Sequence, residues 1–265
     1  FVRFLLPFFP VAAQHPSVVT LMLVLGVVSI IYAAWVAAVQ PDAKKLVAYT
    51  SVAHMGFVGV GIFALNVNGL QGGLLVMISH GISTGALFLL LGMLYERRHT
   101  RLIDEFGGIG RVAPWLATAF VITALSSIGL PGTSGFVGEF LALLGVFEDH
   151  PGIGIFAASG VIFAAYYMLP MVQSVFFNAL EKPENQAVQD LSRREVAIFA
   201  LMIALMIVIG VHPTPPPRKL EPSIQMVLHR VYAAAPPTAA VIESAHDVPS
   251  FETRLPYSSD GCDEE

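Results

Sequence analysis

Among the side chains that exchange protons near neutral pH or can be tuned to do so, three fall clearly inside the long apolar segments: His54, His80 and Glu139. Glu139 stands alone in more than thirty mostly apolar residues from Trp115 to Phe147, just past Gly129-Leu130-Pro131-Gly132-Thr133-Ser134-Gly135. A carboxyl group in hydrocarbon is costly unless it is protonated or paired, so residues of this kind mark ion or proton pathways. The glycines and proline upstream are expected to break the helix in mid-membrane. Broken backbone at that depth is tolerated only where protein or a water-filled cavity satisfies it. Histidine plus a desolvated carboxylic acid supplies the two kinds of group a proton relay needs.

Each histidine also has a plainer reading, an interhelical hydrogen bond or tight packing. His54 lies in Tyr49-Thr50-Ser51-Val52-Ala53-His54-Met55-Gly56, with hydroxyls one turn before the ring. His80 lies in Ser79-His80-Gly81-Ile82-Ser83-Thr84-Gly85, where small residues would let a neighbouring helix approach, and Ser83 and Thr84 are candidate relay hydroxyls. Lys44 and Lys45 open an apolar segment and are further candidates, although a snorkelling pair anchoring a helix end explains them as well. The run Glu96-Arg97-Arg98-His99-Thr100-Arg101 reads as a solvated face by default.

The elements that must position these groups are transmembrane helices. At 55% hydrophobic and 12% charged residues over 265, with mean hydropathy +0.71, the chain is too apolar for a soluble domain of its length. Apolar segments at 17–40, 46–65, 70–95, 113–147, 153–177 and 196–211 are each long enough for a helix to span, and too long for barrel strands. The fourth exceeds one straight crossing and is expected to be two half-helices joined at 129–135. Residues 1–9 are expected to be the tail of a spanning helix begun before Phe1, followed by a membrane domain over 10–212. Past Val211, the Pro213-to-Pro217 run is expected to stop the last helix, with an amphipathic surface helix over 221–235 carrying Ile224, Val227, Leu228 and Val231 on one stripe. From Pro236 onward the composition predicts little fixed structure in a tail that begins at 213.

Basic residues set an orientation. One set of loops and helix ends holds Lys44, Lys45, Arg97, Arg98, Arg101, Arg111, Lys182, Arg193 and Arg194, whereas the opposite short loops 10–16, 66–69 and 148–152 hold none. The positive-inside rule puts the first set in the cytoplasm and the C-terminal tail outside. The single cysteine, Cys262, excludes a disulfide framework, and no dinucleotide fingerprint, P-loop or metal-ligand spacing is present. Nothing in the charge pattern points to nucleic acid.

The segments Asp42-Ala43-Lys44-Lys45-Leu46-Val47-Ala48-Tyr49-Thr50-Ser51-Val52-Ala53-His54-Met55-Gly56, Ser79-His80-Gly81, Leu94-Tyr95-Glu96-Arg97 and Leu130-Pro131-Gly132-Thr133-Ser134-Gly135-Phe136-Val137-Gly138-Glu139-Phe140 occur in that order. They resemble the subunit M family of proton-pumping NADH:quinone oxidoreductase, a family of antiporter-like membrane subunits, over residues 1–211. The resemblance implies an all-α polytopic bundle that holds one inverted-repeat unit of five helices, one of them broken, plus a C-terminal helix. It implies that the other repeat, with a glutamate and lysines of the proton channel, would precede Phe1. Glu139, His54 and His80 would carry protons, with quinone reduction occurring in other subunits, where NADH, FMN, iron–sulfur clusters and quinone are expected; no cofactor is expected in this chain. The partners implied are neighbouring membrane subunits and the bilayer, and the location a bacterial plasma membrane. A sodium/proton antiporter subunit, a membrane-bound hydrogenase subunit and a passive scaffold are the competing readings. Glutamate rather than lysine at the broken helix disfavours the first of these.

Overall fold

The computed structural model describes residues 1–234; the expectation of little fixed structure from Pro236 onward lies outside the described residues. The chain opens with two short helices, α1 (Leu5–Phe8) and α2 (Pro10–Gln14), before the first long one, α3 (Pro16–Ala38). Pro16 starts α3, where its missing N–H costs nothing. Asp42 starts α4 (Ala43–Phe63) by accepting hydrogen bonds from the Lys44 and Lys45 amides at 2.8 and 3.1 Å. Asn66 caps α5 (Val67–Arg98) through the Gly69 amide, and α5 ends in Arg97, Arg98 and a left-handed His99. Cations in a last turn complement the negative end of the helix dipole.

The fourth apolar segment is two helices, α6 (Pro114–Ile128) and α7 (Ser134–Asp149). The stop is chemically explicit. Gly129 adopts φ +83°, its amide bonds back to the Ser126 carbonyl at 3.3 Å, and the Leu130 amide to the Leu125 carbonyl at 3.1 Å. This doubly bonded left-handed end favours glycine, because a Cβ there crowds the following carbonyl. Then come α8 (Pro151–Val172), which contains Pro170 and ends in a wide turn over Gln173–Phe177, the single turn α9 (Pro183–Gln186), and α10 (Arg193–Val211). Ser192 and Glu195 form a reciprocal capping box at the start of α10.

Helix α11 (Pro215–Ala233) starts at the prolines, six residues earlier than the sequence suggests, because proline suits the first turn of a helix as well as it ends one. Ile224, Leu228 and Val231 are buried and Val227 partly so, packing on Val67, Leu70 and Leu74 of α5 and on the N-terminal helices. Gln14 donates to the Val231 carbonyl at 2.6 Å, and the Tyr232 hydroxyl to the Leu65 carbonyl at 2.8 Å. Burial, with the Asp149 charge adding to it, pushes the Tyr232 phenol up, so it stays protonated as a donor.

Five of these helices are long and apolar enough to cross a membrane: α3, α4, α5, α8 with its terminal turn, and α10. Counting α6 and α7 as one broken crossing, they run up and down in a bundle, and all nine basic residues named above gather at one end. Large apolar side chains such as Leu21, Leu25 and Val28 on α3, Phe156 and Ile162 on α8, and Leu201 and Val208 on α10 face outward. An apolar exterior of this kind suits lipid as solvent. The chain is therefore an all-α polytopic membrane bundle with one broken helix.

Candidate proton-transfer site

Close backbone packing carries α7 against α5. A Cβ at Gly138 would sit 2.6 Å from the Val76 amide, and one at Gly72 would overlap Ala142 of α7. Only glycine permits this approach, which brings the second turn of α7 to the middle of α4 and α5. There Glu139, 5% exposed, lies 3.0 Å from Nδ1 of His54, which is equally buried. The His54 and His80 rings are 5.2 Å apart between centroids, at an angle of 46°. The structure thus brings the three titratable groups together at mid-bundle, against the helix break.

Serines complete the site. Ser127, in the last turn of α6, lies 3.4 Å from His54 Nε2, so His54 spans from the Glu139 carboxyl to a hydroxyl. Ser79 and Ser134 share a hydrogen bond of 2.8 Å that ties α5 to the first residue of α7. Ser126 is fully buried and its hydroxyl has no partner among the described residues. His54, Val76, Ser79, His80, Ser83, Ser126, Ser127, Gly135 and Glu139 line a cavity of about 10 Å³. That is close to the room one water needs, and the polar lining supplies the partners it requires.

The second carboxylate oxygen of Glu139 rests on the break itself, since a Cβ at Gly129 would be 2.6 Å from Oε2. Two protonation states of the Glu139–His54 pair leave it neutral: carboxylic acid with imidazole, or carboxylate with imidazolium. A buried pair holding one proton therefore avoids a net charge, whereas adding or removing a proton leaves a charge in the low-dielectric interior. Imidazole accepts at one nitrogen while releasing at the other, which lets His54 pass a proton between Glu139 and the Ser127 side.

Thr84 meets His80 Nδ1 at 3.0 Å, one turn along α5, whereas Ser83 donates to the Ser79 carbonyl at 3.0 Å. Thr50 and Ser51 bond back to the carbonyls of Leu46 and Val47 instead of facing His54. Gly81 and Gly85 are not the close-approach sites; nothing lies within 4 Å of a Cβ at Gly81. Lys44 and Lys45 are exposed at the start of α4, ten residues and about 15 Å of helix from His54. The structure does not bring them to the cavity. Arg97 and Arg98 are half-buried: Arg97 pairs with Glu195 at 3.0 Å and Arg98 donates to Asn185 at 2.7 Å. They lock α5 to the first turn of α10 and to α9. Sequence reasoning passed over Ser126, Ser127, Ser79 and Ser134, because serine is common in membrane helices and only the tertiary packing collects these four.

The fold and site together define a polytopic membrane subunit with one broken helix and a buried carboxyl–imidazole pair at the break. Residues 1–164 match the family described as NADH:quinone oxidoreductase/Mrp antiporter, TM, and the chain belongs to that family. It is 44% identical to NADH-quinone oxidoreductase subunit M of Rhodobacter capsulatus over 88% of this chain and 45% of that protein. It is 41% identical to NADH-ubiquinone oxidoreductase chain 4 of Chondrus crispus over 80% of this chain and 43% of that one. The chain thus spans about half the length of the curated relatives it matches. A chain of respiratory complex I from Thermus thermophilus superposes with TM-score 0.82 at 36% identity, over 87% of this chain and 48% of that one. The Mrp complex of Dietzia shares the fold, with TM-score 0.70 at 16% identity, over 83% of this chain and 48% of that chain.

Proposed function

We propose that this chain is the proton-transferring part of a membrane subunit of an NADH:quinone oxidoreductase, powered by quinone reduction in other subunits. The observation that carries this reading is the 3.0 Å contact between Glu139 and His54, with the His80 ring 5.2 Å beyond, at a mid-bundle helix break. The likeness to subunit M proteins supports the choice of complex.

In this reading the proton enters the His80–Thr84 side of α5, crosses the serine-lined cavity, and is held by the His54–Glu139 pair. Glu139 then releases it toward the end where α7 and α8 meet. A shift of charge in a neighbouring subunit alters which of the two neutral states is favoured, and so loads or empties the site. The basic end faces the cytoplasm by the positive-inside rule, in a bacterial plasma membrane, and α11 lies on the outer side.

Vesicles carrying the complex that holds this subunit are expected to move protons on quinone reduction at the same rate in sodium and in potassium medium. Movement that depends on sodium would contradict this reading and favour cation/proton antiport.

A further inference from the structure

Away from the proton site, the basic end of the bundle contains a cleft of about 190 Å³ between α4 and α5. Phe88, Leu91, Gly92 and Tyr95 fall on one stripe of α5 and form its wall, with Phe106 at its side. Nothing lies within 4 Å of a Cβ at Gly92, so the missing side chain leaves this space open.

The rim is cationic. Lys44 lines the cleft, is exposed, and its ammonium makes no ion pair or hydrogen bond among the described residues. Arg101 stands 5.6 Å above the Tyr95 ring and only 3.7 Å from the Asp42 carboxylate, a loose pair with the arginine half exposed. Its backbone is held in place, because the Ala43 amide donates to the Arg101 carbonyl at 2.9 Å and the Ile103 amide to the Pro41 carbonyl at 2.8 Å. Asp42 spends one oxygen on the α4 amides. Lys44 and Arg101 against Asp42 leave the rim net positive.

We propose that this cleft binds an anionic phospholipid, with the phosphate between Lys44 and Arg101 and the upper acyl chain against Phe88, Leu91 and Phe106. Charge and location choose this occupant. Lysine and arginine at the boundary of an apolar wall match a molecule that is anionic at one end and hydrocarbon at the other, and Lys44 at the start of one span and Arg101 just past the end of the next put the rim at headgroup level. A free phosphate would use the rim and leave the apolar wall uncovered. The site is independent of the proton pathway, and its test does not depend on pumping.

The complex is transferred into nanodiscs of phosphatidylglycerol and phosphatidylcholine, gently re-extracted, and its retained lipids are counted by native mass spectrometry. Wild type is expected to keep one more phosphatidylglycerol than Lys44→Gln, whose exposed side chain is not needed for packing. It is also expected to keep one more than Gly92→Leu, which fills the cleft and leaves every charge in place. Equal counts in wild type and Lys44→Gln would overturn the proposal. A lipid lost from Lys44→Gln but kept by Gly92→Leu would overturn the cleft as its seat. Displacement of the lipid by inorganic phosphate alone, or equal retention of phosphatidylcholine, would overturn the requirement for a whole anionic lipid.

Discussion

At the scale of single residues, His54 and His80 occupy different positions in the same cluster. His54 is 5% exposed and is the partner that Glu139 has, so His54→Ala leaves a buried carboxyl unpaired. Removing one partner of a buried pair costs about 3–5 kcal/mol unless the survivor neutralises itself. His54→Ala is therefore expected to lower both pumping and the yield of assembled complex. His80 is less buried and its hydrogen bond is to Thr84 on its own helix, so His80→Ala is expected to assemble normally and pump slowly. Blue-native gels and proton uptake on the same membranes separate the two effects; a His80→Ala complex that assembles and pumps at the wild-type rate would place His80 outside the pathway. Ser126 gives a finer test. An unpartnered buried hydroxyl is a liability unless it meets water, so Ser126→Ala is expected to leave stability unchanged or slightly raised while slowing proton transfer several-fold. Unaltered transfer would show that the cavity beside it plays no part.

At the scale of elements, the break between α6 and α7 sets where Glu139 points. Gly129→Ala meets two penalties, about 1–2 kcal/mol for alanine in the left-handed conformation and a Cβ 2.6 Å from the Glu139 oxygen. Pumping is expected to fall further than the thermal midpoint of the complex; a variant that loses stability alone would mean the break does not position the carboxyl. At the other end of α6, Asp190 accepts from the Trp115 and Leu116 amides at 3.0 and 2.9 Å. It caps the helix from 75 and 74 residues downstream of the two amides. Asp190→Ala is expected to cost about 1–2 kcal/mol, read as a lower melting temperature, and an unchanged midpoint would show the cap to be idle. The helices and the interruption at 129–135 were legible in the sequence, because hydropathy, length and the Gly-Leu-Pro-Gly run are local signals. The long-range cap at Asp190, the glycine contacts at Gly72 and Gly138, and the four serines were not, since each acquires meaning only when helices distant in sequence meet. Lys44 and Lys45 stood beside His54 in one motif, yet the rise of α4 alone puts about 15 Å between Lys44 and His54.

At the scale of the whole molecule, the bundle has one strongly basic end and one without lysine or arginine in its short loops, so orientation can be measured. Gly152 has open space around a new Cβ, and Gln186 is exposed, whereas its neighbour Asn185 is fully buried and tied to Arg98. Cysteines at Gly152 and Gln186 are expected to label from opposite faces, Gln186 from the cytoplasm; labelling from one face would overturn the span count. The central claim concerns a proton held between Glu139 and His54, and Glu139→Gln tests it with the least change in shape. Glutamine still accepts a hydrogen bond from the His54 ring but cannot ionise. The proton-to-electron ratio of the assembled Glu139→Gln complex in reconstituted vesicles is the most direct measurement. A ratio well below that of wild type, with the complex intact, is the predicted result, and a wild-type ratio from an intact Glu139→Gln complex would contradict the account.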